Sequence, residues 1–105
     1  MEIYGKVKKI CLTVTGETSN GEWCKRDVVV TTVGDDPHDI ACTFFGDRRI
    51  ERLPADLKEG DMVRVMATVK SRCADNQQER WFTSVEASSM DILQRQMAAA
   101  IPPTE

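Results

Sequence analysis

The sequence contains no long apolar run. No stretch approaches the roughly 20 consecutive apolar residues that a membrane-spanning helix needs, and charged residues occupy the N-terminal segment where a secretory signal would be apolar. We therefore expect a cytoplasmic protein. At 105 residues, 41% of them hydrophobic, the chain has the length and composition of one folded domain with a single core.

The sequence also lacks the residue patterns of metal and catalytic sites. It has one histidine, His38, and its four cysteines (Cys11, Cys24, Cys42 and Cys73) are too widely spaced for a zinc motif. Most of them lie in strand-like segments, where a free cysteine acts as a small buried hydrophobe. No phosphate-binding glycine loop or two-histidine motif is present. The sequence predicts neither an enzyme nor a cofactor or metal site.

Acidic side chains are concentrated in the middle of the chain. The formal net charge of −3 is unfavourable for binding a polyanion. Residues 34–61 carry eight acidic and four basic side chains. Residues 1–33 carry four acidic and five basic side chains, and residues 62–90 carry three acidic and four basic ones. The two flanking segments are mildly basic, so a local basic face is compatible with the acidic total.

The first predicted strand, residues 2–14, contains a break in its pattern. Apolar and polar residues alternate from Ile3 onward, as in a half-buried strand, and the phase slips at Lys8. After the slip, Leu12 is among the residues that carry the apolar phase. A slip indicates a bulge or bend, and Gly5 offers another bending point. A bend lets one strand serve both sides of a small closed barrel.

The remaining segments complete an all-β pattern. The predicted elements are strands at residues 2–14, 23–33, 39–45, 63–70 and 80–88, a short helix at 48–53 with a further apolar anchor at Leu57, and polar loops at 15–21 and 74–78. This order predicts an OB-fold, a five-stranded Greek-key β-barrel with a short helix between its third and fourth strands. We place the OB-fold domain at residues 1–90. Residues 91–105 have rough helical spacing and predict a short C-terminal helix or tail.

Five short motifs stand in order along this pattern. They are MEIYGK at residues 1–6, NGEW at 20–23, FFGD at 44–47, LKEGDMVRV at 57–65 and ERWFTSV at 79–85. In their order and spacing they resemble bacterial single-stranded DNA-binding proteins and, more closely, a family of short bacterial OB-fold proteins related to them. The resemblance implies sequence-tolerant binding of single-stranded DNA, and a homo-oligomer, either a dimer or a tetramer.

Single-stranded nucleic acid is held by two devices together. Aromatic rings stack on bases and basic side chains contact phosphates, and in OB-folds both lie on the middle strands and nearby loops. The predicted nucleic-acid-binding residues are Tyr4, Lys6, Lys8, Trp23, Lys25, Phe45, Arg64, Lys70, Arg72, Arg80 and Trp81. The predicted ligand is single-stranded DNA, with RNA as an alternative.

Several assignments have alternatives. Phe44 and Phe82 are predicted to pack in the core, whereas Phe45 alternates with Phe44 and is predicted to face outward. Trp23 and Trp81 begin strands beside polar loops, so their rings either close the barrel end or face a ligand. The alternative function is an OB-fold protein-interaction module without nucleic-acid affinity, which the acidic middle segment favours. A cold-shock type of RNA-binding barrel fits less well, because those domains display a dense row of aromatics on two adjacent strands that this sequence lacks.

Overall fold

A computed structural model describes residues 1–75 and 79–95, and these residues form six β-strands and one short helix. The elements are β1 (Glu2–Ile10), β2 (Val14–Thr18), β3 (Gly21–Thr32), β4 (Asp39–Phe45), α1 (Asp47–Glu51), β5 (Met62–Asp75) and β6 (Arg80–Gln94). Within the described ranges, no helix is long and apolar enough to cross a membrane.

The strands form one sheet that closes on itself. Its order is β1-β5-β6-β4-β3-β2, and β1 also pairs with β3, which joins the two sides. β4 and β6 run parallel, whereas the other described pairs are antiparallel. The five predicted strands correspond to β1, β3, β4, β5 and β6, with α1 between the third and fourth of them. The predicted OB-fold is confirmed.

β1 contributes to both sides of the closed sheet. Its first half pairs with β5 and its second half with β3, and the two pairings overlap at Gly5 and Lys6. The register of β1 against β3 shifts between Val7 and Lys9, so the bulge predicted at Lys8 is confirmed. A bulge bends its strand and increases the local twist, which lets β1 turn from one partner to the other.

The core consists of inward-facing residues from five strands. Phe44 is its largest fully buried side chain, as predicted, and Cys42 beside it is also fully buried. Burial raises the pKa of the Cys42 thiol to about 11. Ile50 in α1 and the following Leu53 and Leu57 pack against this core. The helix segment therefore covers part of the barrel, and the prediction that Leu57 is an apolar anchor is confirmed.

The hairpin of β2 and β3 corrects the predicted first strand and loop. β1 ends at Ile10 rather than at residue 14, and Leu12 is 84% exposed instead of carrying the apolar phase. Val14–Thr18, predicted mainly as loop, forms β2. The reason is a contact between strands: Trp23 lies opposite Gly16 in register, and its ring fills the space that a Cβ at Gly16 would occupy. Packing across the hairpin outweighs the polar composition of β2.

The end of β6 corrects the predicted C-terminal helix. β6 continues to Gln94, so residues 91–94 are strand, paired with the beginning of β5 and anchored by Ile92 against the core. Residues 96–105, the rest of the predicted helix or tail, lie outside the described residues, and the domain boundary stays a prediction. Of the predicted loop at 74–78, residues 74–75 belong to β5 and residues 76–78 are likewise outside the description.

The close approach of β1 to β3 at Gly5 predicts that adding one methyl group at this position destabilises the fold. In Gly5→Ala the added Cβ would lie 2.3 Å from the carbonyl oxygen of Thr31 and 2.6 Å from a methyl carbon of Val30, so β1 and β3 must separate. We expect a loss of about 1–3 kcal/mol in the free energy of unfolding, as for other overpacked interiors. Urea denaturation measures it as a lower midpoint. The exposed Lys6→Ala on the same strand is the control, and equal midpoints for the two variants would contradict the requirement for glycine.

Candidate nucleic-acid interface

Outward-facing residues of β4, β5 and β6 form a groove. It encloses about 500 Å³, and we refer to this site as the groove. Its lining residues are Phe45, Lys70, Ser71, Arg72, Phe82, Ser84 and Glu86. The groove therefore combines two aromatic rings, two cationic side chains and one carboxylate.

Strand register places cations beside an aromatic ring. In the β5–β6 ladder Lys70 lies opposite Ser84, and Arg72 lies opposite Phe82. Residues two apart on a strand face the same side, and directly opposed residues share a face. Lys70, Arg72 and Phe82 thus lie on one surface, which suits a ligand that alternates flat rings with negative charges.

The groove continues toward the β2–β3 hairpin through a second aromatic contact. Phe45 is 45% exposed, which confirms that it faces outward. The centroid of its ring lies 6.2 Å from that of Trp23, with the ring planes tilted by 37°. Lys25 lies directly opposite Phe45 in the β3–β4 ladder. Three predicted site residues are therefore brought together at this end, with Trp23 half-buried against Gly16.

Phe82 was predicted to lie in the core, and this prediction is wrong. Its side chain is 53% exposed and lines the groove. Residues 70–75 of β5 and 80–84 of β6 pair only with each other among the described strands, and we call this ribbon the arm. The arm extends past the strands that could cover it, so an aromatic residue there stays accessible. Consecutive residues of a strand face opposite sides, so Trp81 and Phe82 cannot both point into the core. This alternation is the sequence signal that bears on the position of Phe82.

Trp81 lies on the opposite face of the arm from Phe82. It is 64% exposed and opposes Cys73 in register, and it does not line the groove. Arg80 is exposed at the tip of the arm and by alternation shares the side of Phe82. The structure therefore leaves neither tryptophan sealed in the core, but it separates Trp81 from the groove.

Two other predicted residues form a separate cluster on β1 and the beginning of β5. Tyr4 and Arg64 face each other across the strands. Arg64 Nη2 lies 2.9 Å from Asp91 Oδ2, and the Tyr4 hydroxyl donates to Glu2 at 2.8 Å. The hydrogen bond to Asp91, and then that to Tyr4, raises the pKa of Arg64. Its charge is thereby kept and is compensated locally by Asp91.

Lys6 and Lys8 also lie outside the groove lining. Both are exposed on β1, and the Lys8 ammonium pairs with the carboxylate of Asp39. That hydrogen bond, followed by one from Thr31, lowers the pKa of Asp39. The structure therefore leaves four predicted residues outside the groove: Lys6, Lys8, Tyr4 and Arg64. The lysine and the arginine that line the groove, Lys70 and Arg72, belong to the arm.

Glu86 is a groove residue that the sequence did not single out. Its Oε1 lies 3.2 Å from Lys70 Nζ and 4.0 Å from Arg49 Nη1. Its neighbour across the β4–β6 pairing is Thr43, which places it on the outer face. The carboxylate compensates the charge of Lys70, so an anionic ligand has to compete with Glu86 for this lysine.

A smaller cavity adjoins the groove at Phe45. It encloses about 390 Å³ and is lined by Thr15, Glu22, Trp23, Cys24, Phe45, Gly46 and Asp47. We call it the carboxylate cavity, after Glu22 and Asp47. The Cys24 thiol donates a hydrogen bond to Asp47 Oδ1 at 2.9 Å. This bond, ahead of burial, raises the pKa of the Cys24 thiol. Cys24 is therefore a protonated donor at neutral pH.

All four cysteines are free thiols. In the part of the chain that the structure describes, no group of three or more histidine, cysteine, aspartate or glutamate side chains is placed to hold a metal ion.

Residues 2–91 match the family described as Domain of unknown function (DUF3127). The chain belongs to this family. No protein of curated function matches the sequence. The fold is similar to that of Rim1, a mitochondrial single-stranded DNA-binding protein of S. cerevisiae, with a TM-score of 0.68 and 16% identity over 90% of this chain and 95% of that one.

A second similar structure is the single-stranded DNA-binding protein of Thermus aquaticus. The TM-score is 0.55, and the 16% identical alignment covers 89% of this chain and 48% of that one. At such low identity both likenesses concern the fold. This member of the DUF3127 family therefore has the OB-fold that single-stranded DNA-binding proteins also use.

Proposed function

We propose that the protein binds single-stranded DNA with little sequence preference, through base stacking and phosphate contacts in the groove. The observation that carries the proposal is the alternation of Phe45 and Phe82 with Lys70 and Arg72 on one accessible face of an OB-fold. Each stacked base contributes roughly 1–3 kcal/mol, and every base has a flat face, so stacking tolerates any sequence.

The proposed contacts divide the predicted residues by their position. Bases stack on Phe82 and on the Phe45–Trp23 pair, while Lys70, Arg72 and Lys25 contact the phosphates between them. Arg80 at the tip of the arm extends the basic side. The remaining predicted residues lie elsewhere on the surface and make no direct contact under this proposal: Lys6, Lys8, Tyr4, Arg64 and Trp81. The three cations among them contribute only to the long-range field.

A protein-interaction module without nucleic-acid affinity is the second candidate. The observation that favours it is charge compensation: Glu86 pairs with Lys70, Asp91 with Arg64, and Asp39 with Lys8. Phosphates must compete with these carboxylates, on a chain whose net charge is −3. We favour DNA binding because Arg72, beside Phe82, forms no ion pair within the described residues.

We also propose that the protein acts in the cytoplasm. From the resemblance to single-stranded DNA-binding proteins we propose, in addition, that it is a dimer or tetramer. Size-exclusion chromatography with light scattering measures the second directly.

Salt dependence tests the proposed phosphate contacts. We expect the protein to bind oligo-dT at low salt, with tryptophan quenching because Trp23 lies beside the groove. Each lost phosphate contact lowers the slope of log K against log salt by about 0.7 for a single strand. Replacing Lys70 and Arg72 by Ala together should therefore flatten the slope by about 1.4.

The matched control replaces Lys9 and Lys58, two exposed lysines outside the groove, by Ala. It removes the same charge and should leave the slope nearly unchanged. Oligo-U titrated in parallel measures the preference for DNA over RNA. Absence of quenching and of a gel shift with both oligonucleotides at low salt would remove the proposal and leave the interaction module.

The two faces of the arm predict opposite outcomes for neighbouring aromatics. Phe82→Ala removes a stacking surface and should weaken oligo-dT binding by about 1–3 kcal/mol. Trp81→Ala removes a larger ring from the other face and should change affinity little. Fluorescence anisotropy of a labelled oligonucleotide measures both. A larger loss of affinity for Trp81→Ala would mean that the DNA strand binds the opposite face of the arm, which contradicts the proposal.

Competition by Glu86 predicts a variant that binds more tightly. Glu86→Gln keeps the shape of the side chain but releases Lys70 from its ion pair, so we expect higher affinity for oligo-dT and a steeper salt dependence. Glu59→Gln removes an exposed carboxylate outside the groove and controls for the change in net charge. Equal gains in the two variants would mean that only the net charge matters.

A further inference from the structure

Some carboxylate oxygens of the carboxylate cavity accept no hydrogen bond from the described part of the chain. Asp47 Oδ1 accepts from Cys24, whereas Asp47 Oδ2 and the Glu22 carboxylate have no hydrogen-bond or ion-pair partner within residues 1–75 and 79–95. Glu22 also lies opposite Glu17 in the β2–β3 ladder. Adjacent like charges raise the negative potential there, which favours a ligand that donates hydrogen bonds.

The corner that holds the cavity is built by backbone contacts. Gly46 separates β4 from α1 and has φ of 92°, in the left-handed region that glycine favours. Its N–H donates to the carbonyl oxygen of Cys24 at 2.9 Å. This turn brings Asp47 against Cys24 on β3, so the carboxylate is held by the fold rather than by a mobile side-chain contact alone.

The cavity and the groove share the Phe45 wall. A strand that stacks one base on Phe45 from the groove has its neighbouring nucleotide at the cavity. Trp23 and Phe45 supply apolar lining, which suits a flat organic group better than a hydrated inorganic cation. The adjoining position therefore fits a nucleobase whose edge carries hydrogen-bond donors.

We infer that the carboxylate cavity is a base-selecting subsite that takes one base of the strand held in the groove and prefers an amino-bearing base to thymine or uracil. This inference rests on the proposed function. Cytosine and adenine each present an exocyclic amino group, and a glutamate or aspartate accepts from cytosine N4. Thymine presents O4 at the same position, where its lone pairs face carboxylate oxygens. The strand is thus read weakly at one position and bound without preference at the others.

The experiment compares oligo-dC with oligo-dU of equal length at neutral pH. These bases differ at the 4-position and at N3 but stack similarly, so the ratio of their affinities isolates the edge contact. For the unaltered protein we expect oligo-dC to bind about fivefold more tightly, since a good contact to a base edge discriminates by at least that factor. Anisotropy of labelled strands gives both affinities.

Two variants replace a cavity carboxylate by an amide, which loses the charge and pairs with either base, since it offers one acceptor oxygen and one donor NH₂. One matched variant leaves the cavity lining unchanged. Glu22→Gln and Asp47→Asn should each bring the ratio close to one while changing oligo-dU binding little. Glu22 lies on an exposed hairpin, so its variant keeps the test sound even where Asp47→Asn disturbs α1. Glu59→Gln removes the same charge at an exposed position outside the cavity lining, and should keep the ratio.

The outcomes separate this inference from the proposed function. Equal affinities of the unaltered protein for oligo-dC and oligo-dU overturn the subsite and leave the groove as a binding site. A preference that survives both Glu22→Gln and Asp47→Asn also overturns it. Absence of binding to either strand at low salt overturns the proposed function, and the subsite with it.

Discussion

The double pairing of β1 is the constraint on which the rest of the structure depends. One strand has to join β5 at its beginning and β3 at its end, and it does so through a bulge at Lys8 and a glycine where the backbone of Thr31 approaches. Closure leaves each strand one inner and one outer face. The outer faces of β3 to β6 then form a continuous surface, and the groove and the carboxylate cavity both lie on it.

The arm gives this surface its chemistry. β5 and β6 continue beyond the strands that flank them, so both faces of the ribbon remain accessible. One face carries Lys70, Arg72 and Phe82, whereas Trp81 lies on the other. An acidic protein can offer a cationic groove because fields act over about a Debye length, ~8–10 Å at physiological salt, so nearby charges outweigh the total. Glu86 moderates that groove from within.

The same physics explains which predictions were confirmed. The OB-fold order, the bulge at Lys8, the buried Phe44 and the exposed Phe45 follow from period-two patterns, which are properties of consecutive residues. The predictions for Phe82, for residues 14–18 and for residues 91–94 were wrong because each outcome depends on another strand. Phe82 lacks a covering strand, Trp23 packs on Gly16, and β6 continues because β5 supplies hydrogen-bond partners. Only some of the predicted site residues lie at the groove, and the groove residue Glu86 was not predicted.

By itself, the sequence determined the strand order and the alternation of inward and outward residues, since both depend on side chains a few positions apart. It also determined the choice of ring and cation types on the strands. Only the tertiary structure decided which outward residues meet. Strand register joins Lys25 to Phe45 and Arg72 to Phe82 across separations that no local pattern records, and the turn at Gly46 brings Asp47 to Cys24.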